Sequence, residues 1–370
     1  MKTLTLVAST GRPDRAELLR RERADEQPRV LLFEDRLSSD MLEGGGTRPP
    51  LRYLAQVVRA YRKRRQYDVV LTWGESLSLL FALLLKITGT RTRHIALMYW
   101  ISPPKKALLL AAVQSHIDQI ITWSSVQRAF GIERLGIPAE KFTLVRHPVD
   151  QDFWRPADFP APASGGGSDW GSSGDVIAAV GNEMRDYPTL IRAMRDLPMA
   201  CHIAARDVQP GSSRRLARRA SMLADGPLPP NVTIGEKSYP QLRALYARSR
   251  FVVIPLLPTD TDNGVRGALE AMAMGKAVIC SRTRGQVDVI DEGKTGLFVP
   301  QGDPAALRQA IQYLWDNPEL AAAMGRAGRK RIEERHTFEQ FVESVRSVVE
   351  RVNSPFPVVG EGRGGGYASA

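Results

Sequence analysis

Three consecutive stretches of the chain constrain one another. Phe251-Val252-Val253-Ile254-Pro255-Leu256-Leu257 is a β-rich apolar run. Asp262 to Gly275 carries apolar residues at Val265, Ala268, Leu269, Met272 and Ala273, and Ala277-Val278-Ile279-Cys280-Ser281 is apolar again. The middle spacing is helical, begins near Gly264 and stops at Gly275, where a left-handed C-cap costs little. Strand, loop, helix and strand in this order form a unit of a parallel sheet. In such units ligands gather beyond the carboxyl ends of the strands, and the unpaired N–H groups of the helix start favour an anion such as a diphosphate.

The same alternation runs through the whole chain. Strands are expected at Leu4–Ala8, Val30–Phe33, Val69–Thr72, His94–Met98 and Ile120–Trp123, with helices near Leu51–Lys63, Leu77–Lys86 and Ala107–His116. The stretch from Pro156 to Gly174, rich in Pro, Gly and Ser, then interrupts the pattern as a linker or loop. Strands near Val176–Val180, Ala200–Ala204, Val232–Ile234 and Phe251–Leu257 resume it, with helices near Pro188–Leu197 and Pro240–Ala247. At 370 residues the chain is long for one α/β core and comfortable for two. The fold class expected is α/β, with two doubly wound domains.

With 43% hydrophobic and 25% charged residues, the composition is that of a globular protein. The first residues read as a strand rather than a signal peptide, and the apolar run Leu77–Leu85 falls short of the roughly 20 residues of a membrane span. A cytoplasmic protein is expected. Cys201 and Cys280 lie at apolar strands with no metal-like spacing, and read as packing residues. The net charge of +11 is uneven: residues 1–165 carry 25 Lys and Arg against 17 Asp and Glu, the remainder 26 against 23. Arg59, Arg62, Lys63, Arg64 and Arg65 are the densest cluster. They form either a solvated helix face or a surface for an anionic acceptor or membrane, and without a nucleic-acid motif the charge does not point to nucleic acid.

Two acidic residues stand out in the Asp262–Gly275 stretch. Glu270 can accept from two vicinal hydroxyls at once, as on a ribose, which an ionised carboxylate does well. Asp262, in the loop before the helix, can accept from a sugar hydroxyl or cap the helix. Gly264 and Gly267 let a ligand approach the backbone.

This stretch, with Gly285 and Asp291-Glu292-Gly293-Lys294-Thr295-Gly296-Leu297-Phe298-Val299, resembles the donor-binding region of retaining family 4 glycosyltransferases, which have the GT-B fold. Their pattern is Glu, seven residues, Glu, then Ala-Met-Ala-x-Gly. Here Asp262 stands for the first Glu and Glu270 matches the second. Leu135–Lys141 leading to His147-Pro148-Val149-Asp150, and Ile234-Gly235 with Leu245-Tyr246-Ala247, resemble further parts of the family. The resemblance covers most of residues 130–350, and the first hundred match only in outline.

The resemblance implies a hexose-type sugar moved from a nucleotide diphosphate to an acceptor (a glycan, a lipid-linked sugar or a small molecule), with no cofactor and no metal. It implies an acceptor-side domain over 1–160, a nucleotide-sugar domain over 176–336 and a helix 337–352 crossing back, while the Gly-rich composition gives a linker over 161–175 and a disordered tail over 353–370. An Arg and a Lys that hold the diphosphate in the family correspond to the stretch Val180–Leu190, where Arg185 is the only cation. Arg185 takes the Lys position, the Arg position falls on Asn182 or Glu183, and Arg266 supplies the missing charge or is a solvated helix arginine. Gly181, Asn182, Asn263, Gly264, Val265 and Arg266 complete the expected nucleotide contacts. Tyr99 stands where the family has a His near the reacting sugar. Tyr donates and accepts a hydrogen bond but does not titrate near neutrality. His94, at the other end of that strand, reads as structural, and Glu75 either contacts the acceptor or caps the following helix. An epimerase or phosphorylase on the same fold, and a non-catalytic relative that binds sugar nucleotides, share the donor motif.

Overall fold

The structure is a computed structural model and describes residues 2–7, 15–29, 39–43, 49–156, 176–205 and 226–354. The expected strand Val30–Phe33, the Gly/Ser-rich segment 161–175 and the tail beyond residue 354 lie outside these.

Two six-stranded parallel sheets carry the fold. The first contains β1 (Thr3–Val7), β2 (Ser39–Glu43), β3 (Val69–Trp73), β4 (His94–Leu97), β5 (Gln119–Thr122) and β6 (Phe142–Leu144), in the order β2-β1-β3-β4-β5-β6. Its helices are α1 (Arg15–Arg23), α2 (Pro49–Lys63), α3 (Glu75–Ile87), α4 (Pro104–Val113) and α5 (Ser125–Glu133). The second contains β7 (Val176–Val180), β8 (Ala200–Ala204), β9 (Val232–Ile234), β10 (Ser249–Ile254), β11 (Ala277–Ser281) and β12 (Gly296–Val299), in the order β12-β11-β10-β7-β8-β9. Helices α6 (Tyr187–Met194), α7 (Tyr239–Arg248), α8 (Val265–Ala273), α9 (Pro304–Asp316) and α10 (Pro318–Arg335) cover it, and α11 (Phe338–Asn353) ends the described chain.

The central strands are buried on both faces, as parallel sheets require: Val69, Val70 and Leu71 in β3 and Val252, Val253 and Ile254 in β10 have no exposed surface. Strands β2 and β6 escape the sequence pattern, because Ser39-Asp40-Met41-Leu42-Glu43 is polar and Phe142-Thr143-Leu144 is three residues long. Helix α11 starts with a capping box at Thr337 and Gln340. Its Phe338, Phe341, Val345 and Val349 pack on Val69, Leu71, Ile95 and Ile121 of the first sheet. The chain thus passes between the sheets twice, and the passages are stitched together where the Val149 N–H donates to the His336 carbonyl at 2.9 Å.

Strand order decides where a site belongs. From β7 the chain winds to β8 and β9, then returns to place β10 on the other side of β7. The loops leaving β7 and β10 therefore diverge from adjacent strand ends and open a crevice between them. Among the described residues no helix is long and apolar enough to cross a membrane.

Candidate functional site

The crevice at the ends of β7 and β10 is built by residues 181–186 and 255–264. The first loop is tied to the second: the Asp186 N–H donates to the Pro255 carbonyl at 3.0 Å and the Leu257 N–H to the Met184 carbonyl at 2.9 Å. The Asp186 carboxylate then caps α6 by accepting from the Thr189 N–H at 3.2 Å.

Arg185 turns back across the end of β7. Its Nε donates to the Val180 carbonyl and its Nη1 to the Glu183 carbonyl, both at 2.7 Å. Position 181 must be glycine, since φ is +97° and a Cβ there would come within 2.2 Å of Arg185 Nη2. Asn182 and Glu183 are exposed on the same loop.

The second loop ends at Gly264, whose φ of +93° starts α8; a Cβ there would come within 2.9 Å of Ile254. Among the described residues no side chain caps this helix. Asn263 is occupied within its loop, donating to the hydroxyls of Thr259 and Thr261. The Val265 N–H donates to the Asp262 carbonyl at 3.0 Å. Arg266 is exposed on the first turn of α8.

Glu270 is buried on α8, and its Oε2 accepts from the Tyr246 hydroxyl of α7 at 3.0 Å. Burial pushes its carboxyl up to about 7, against the pull of Arg266, the Tyr246 hydroxyl and Arg185. The fold therefore brings Arg185, Arg266 and Glu270 into one electrostatic neighbourhood. The role of Tyr246 is absent from the sequence reading, which used it only as part of a motif. The available signal was a tyrosine on a buried helix face, whose hydroxyl needs a partner.

Asp262 faces the other domain. Burial raises its carboxyl to about 6; its own N–H opposes this, the nearby Asp288 adds to it, and a hydrogen bond with Trp123 at the end of β5 opposes it. Its Oδ2 is buried with no hydrogen-bond partner among the described residues. It lines a small cavity of about 20 Å³ with Trp123, Arg146, His147, Asp288 and His336, room for about one water. Burial holds His147 at about 3 and His336 at about 4, so both imidazoles are neutral at pH 7. Across the same seam the Ser125 N–H donates to Asp288 at 2.9 Å and Gln127 Nε2 to the Asp260 carbonyl at 3.0 Å.

Tyr99 lies two residues past β4, stacked on Trp123 with ring centroids 5.4 Å apart. Burial pushes its hydroxyl up to about 12, with the charges of Glu75, Glu183 and Asp262 adding to the effect. Glu75 neither caps α3 nor faces the cleft with both oxygens free. Gly74 is the N-cap, and Glu75 Oε1 accepts from the backbone N–H groups of Tyr99 at 2.9 Å and Trp100 at 2.7 Å. His94 is buried, bonded to the Thr72 hydroxyl and the His116 carbonyl. Cys201 and Cys280 are buried free thiols.

Two doubly wound domains, each on a six-stranded parallel sheet, define a GT-B fold, with cations and a buried carboxylate converging at the switch point of the second sheet. The second domain points the same way: residues 176–331 match the family described as Glycosyl transferases group 1. The uncharacterized glycosyltransferase MJ1178 of Methanocaldococcus jannaschii is 28% identical over 120 residues, 32% of this chain and 33% of that protein. Alpha-maltose-1-phosphate synthase of Mycolicibacterium smegmatis is 25% identical over 240 residues, 58% of each chain. The alignments thus span a third of the first relative and somewhat over half of the second. Among solved structures, Anabaena HepE in complex with UDP-glucose superposes with a TM-score of 0.67 at 14% identity, covering 95% of this chain and 100% of that one.

Proposed function

We propose that the protein is a retaining glycosyltransferase that moves a hexose-type sugar from a nucleotide-diphosphate sugar to an acceptor hydroxyl. The observation that carries this reading is the convergence of Arg185, Arg266 and Glu270 beside the uncapped start of α8, at the switch point of the second sheet. Glu270 accepts from the ribose hydroxyls. Arg185, Arg266 and the N–H groups of α8 take the diphosphate, whose negative charge grows as the bond from the anomeric carbon to the phosphate oxygen breaks. Asp262 Oδ2, buried without a partner, accepts from a hydroxyl of the transferred sugar. The acceptor oxygen attacks from the face the diphosphate leaves, and its proton passes to the departing phosphate oxygen. With the leaving charge met by two guanidinium groups and a helix start, the reaction needs no divalent ion.

That UDP-glucose occupies HepE supports a nucleotide sugar as the donor. The group 1 match supports transfer as the reaction class. In this reading the protein works in the cytoplasm, with exposed Arg62, Lys63 and Arg65 turned toward the inner face of an anionic membrane. The test is nucleotide release from a panel of sugar nucleotides, by wild type and Glu270→Ala. Release by wild type that the variant lacks is expected. No turnover together with no nucleotide-induced thermal shift in wild type overturns the reading, and an inverted anomeric product by NMR overturns retention alone.

A further inference from the structure

We propose that the base of the first domain, at the strand ends opposite the cleft, holds a second anion site that takes a phosphate group. The turn from α3 to β4 and the turn from α4 to β5 enclose a cavity of about 260 Å³ lined by Leu85, Arg91, Thr92, Arg93, His116 and Asp118. That volume suits a small anion rather than a whole sugar nucleotide.

The cationic side chains are held in place. Arg91 Nη1 donates to the Ser115 carbonyl, Arg93 Nη1 to Asn353 Oδ1 at 2.7 Å, Lys86 Nζ to the Ala112 carbonyl and Lys141 Nζ to the Gln114 carbonyl at 2.6 Å. A guanidinium has five N–H donors, so one bond through Nη1 fixes the fork without exhausting it. The opposing carboxylate, Asp118, is itself engaged, accepting from the His94 N–H at 2.7 Å.

A simpler account is that these cations only neutralise the C-terminal ends of α3 and α4, and the charge balance argues against it. Each helix end carries roughly half a negative charge. Together with Asp118, Glu140 and the end of α11, which Arg93 reaches through Asn353, that still leaves Lys86, Arg91, Arg93 and Lys141 in surplus, by about half a unit. Arg64 comes near the same turn through Tyr61. The Tyr61 hydroxyl meets Thr90 at 3.5 Å, and its ring lies 3.7 Å below the Arg64 guanidinium. The crowding is felt locally, because Arg91 and Lys86 add to burial in holding His116 below its ordinary range. A phosphate would relieve it with charge-assisted bonds to the arginine forks. The phosphate can be a free ion or a lipid headgroup, and Ile87, 73% exposed beside the pocket, would meet acyl chains in the second case.

The test uses the full chain carrying Arg185→Ala, which weakens phosphate binding at the cleft, and the position of the amide shifts separates this site from the proposed donor site. Inorganic phosphate is titrated at low salt, followed by amide shifts, against the same chain with Arg91→Gln and Arg93→Gln. Saturable binding is expected, with shifts confined to residues 86–93 and 114–118 and at least a tenfold loss of affinity in the double substitution. Co-sedimentation with phosphatidylcholine vesicles containing phosphatidic acid assigns the source. Vesicle binding that the double substitution abolishes identifies a headgroup, and phosphate binding without vesicle binding identifies a free ion. No binding of either probe, or equal binding by the substituted chain, overturns the proposal. Should the substituted chain melt early, the location of the amide shifts in the Arg185→Ala chain decides by itself.

Discussion

The two sheets repeat one architecture, yet the ends that face each other are made of different material. At the end of the second sheet stand charges: Arg185 folded over Gly181, Glu270 under Tyr246, Arg266 at the start of α8. At the end of the first stand rings. Tyr99 stacks on Trp123, which approaches Trp73 at 6.2 Å and His147 at 5.1 Å. Glu75, a carboxylate after β3, is turned onto backbone N–H groups, with Lys106 Nζ 3.5 Å from its other oxygen. A shared fold thus fixes where the crevice lies, while the residues at the strand ends decide what each side can hold. In the proposed function the second side takes the anion and the flat faces of the first take a sugar ring.

The largest test of this division is Arg185→Ala. In the proposed reaction it removes a donor aimed at charge that develops only as the diphosphate departs, so kcat should fall by about 100- to 1,000-fold. Single-turnover measurement at saturating donor checks it. A loss below about tenfold would mean that Arg266 and the helix start suffice, and that the arginine bonded to Val180 and Glu183 is a brace for its loop.

Much of this arrangement was legible in the sequence, for identifiable reasons. The Asp262–Gly275 stretch announced its helix because apolar spacing and terminal glycines agree, and the unit around it dictated a parallel sheet. The place of Arg185 could be read because one cation follows β7. What stayed hidden depends on distant pairing. Tyr246 meets Glu270 across 24 positions, and Trp123 meets Asp262 across the seam between domains. No local period encodes such contacts. Glu75 shows the same limit. As a lone acid at a strand end it read as a cap or an acceptor contact, and only the fold reveals that it holds the Tyr99–Trp100 turn.

Glu75→Ala should therefore disturb the first side while sparing the second. Two part-buried N–H groups lose their acceptor, at about 1 kcal/mol each, so the melting temperature should drop and the acceptor KM should rise. The nucleotide dissociation constant should stay unchanged by calorimetry. A weakened nucleotide would show that the two sides are coupled through the seam formed by Trp123 and Asp262.

A smaller effect should appear in pH dependence. Glu270 sits at about 7 in the free protein, and ribose hydroxyls donate more strongly to its ionised form, which can accept from both at once. Nucleotide binding should release a proton below that value and weaken by up to about tenfold for each unit of acidification, levelling off above about pH 7. Glu270→Gln should bind more weakly at pH 8 and lose this slope. A slope that persists in the variant would move the titration to Asp262, at about 6, and place the ionisable contact at the domain seam.

The least disruptive change is Tyr99→Phe. The hydroxyl sits at about 12, so at neutral pH it neither gives up its proton nor stores one, and the substitution removes at most one hydrogen bond to substrate. The ring keeps its stack on Trp123. A loss of between about twofold and tenfold in kcat/KM is expected, with the nucleotide dissociation constant untouched. Tyr99→Ala, which also opens the stack, should raise the acceptor KM further while leaving the donor side intact. A hundredfold fall with phenylalanine would break the division between the sheets, because the first side would then contribute a chemical group rather than a surface. The search for that group's partner would begin at Glu183 and Asp262, whose charges already reach the Tyr99 hydroxyl from across the cleft.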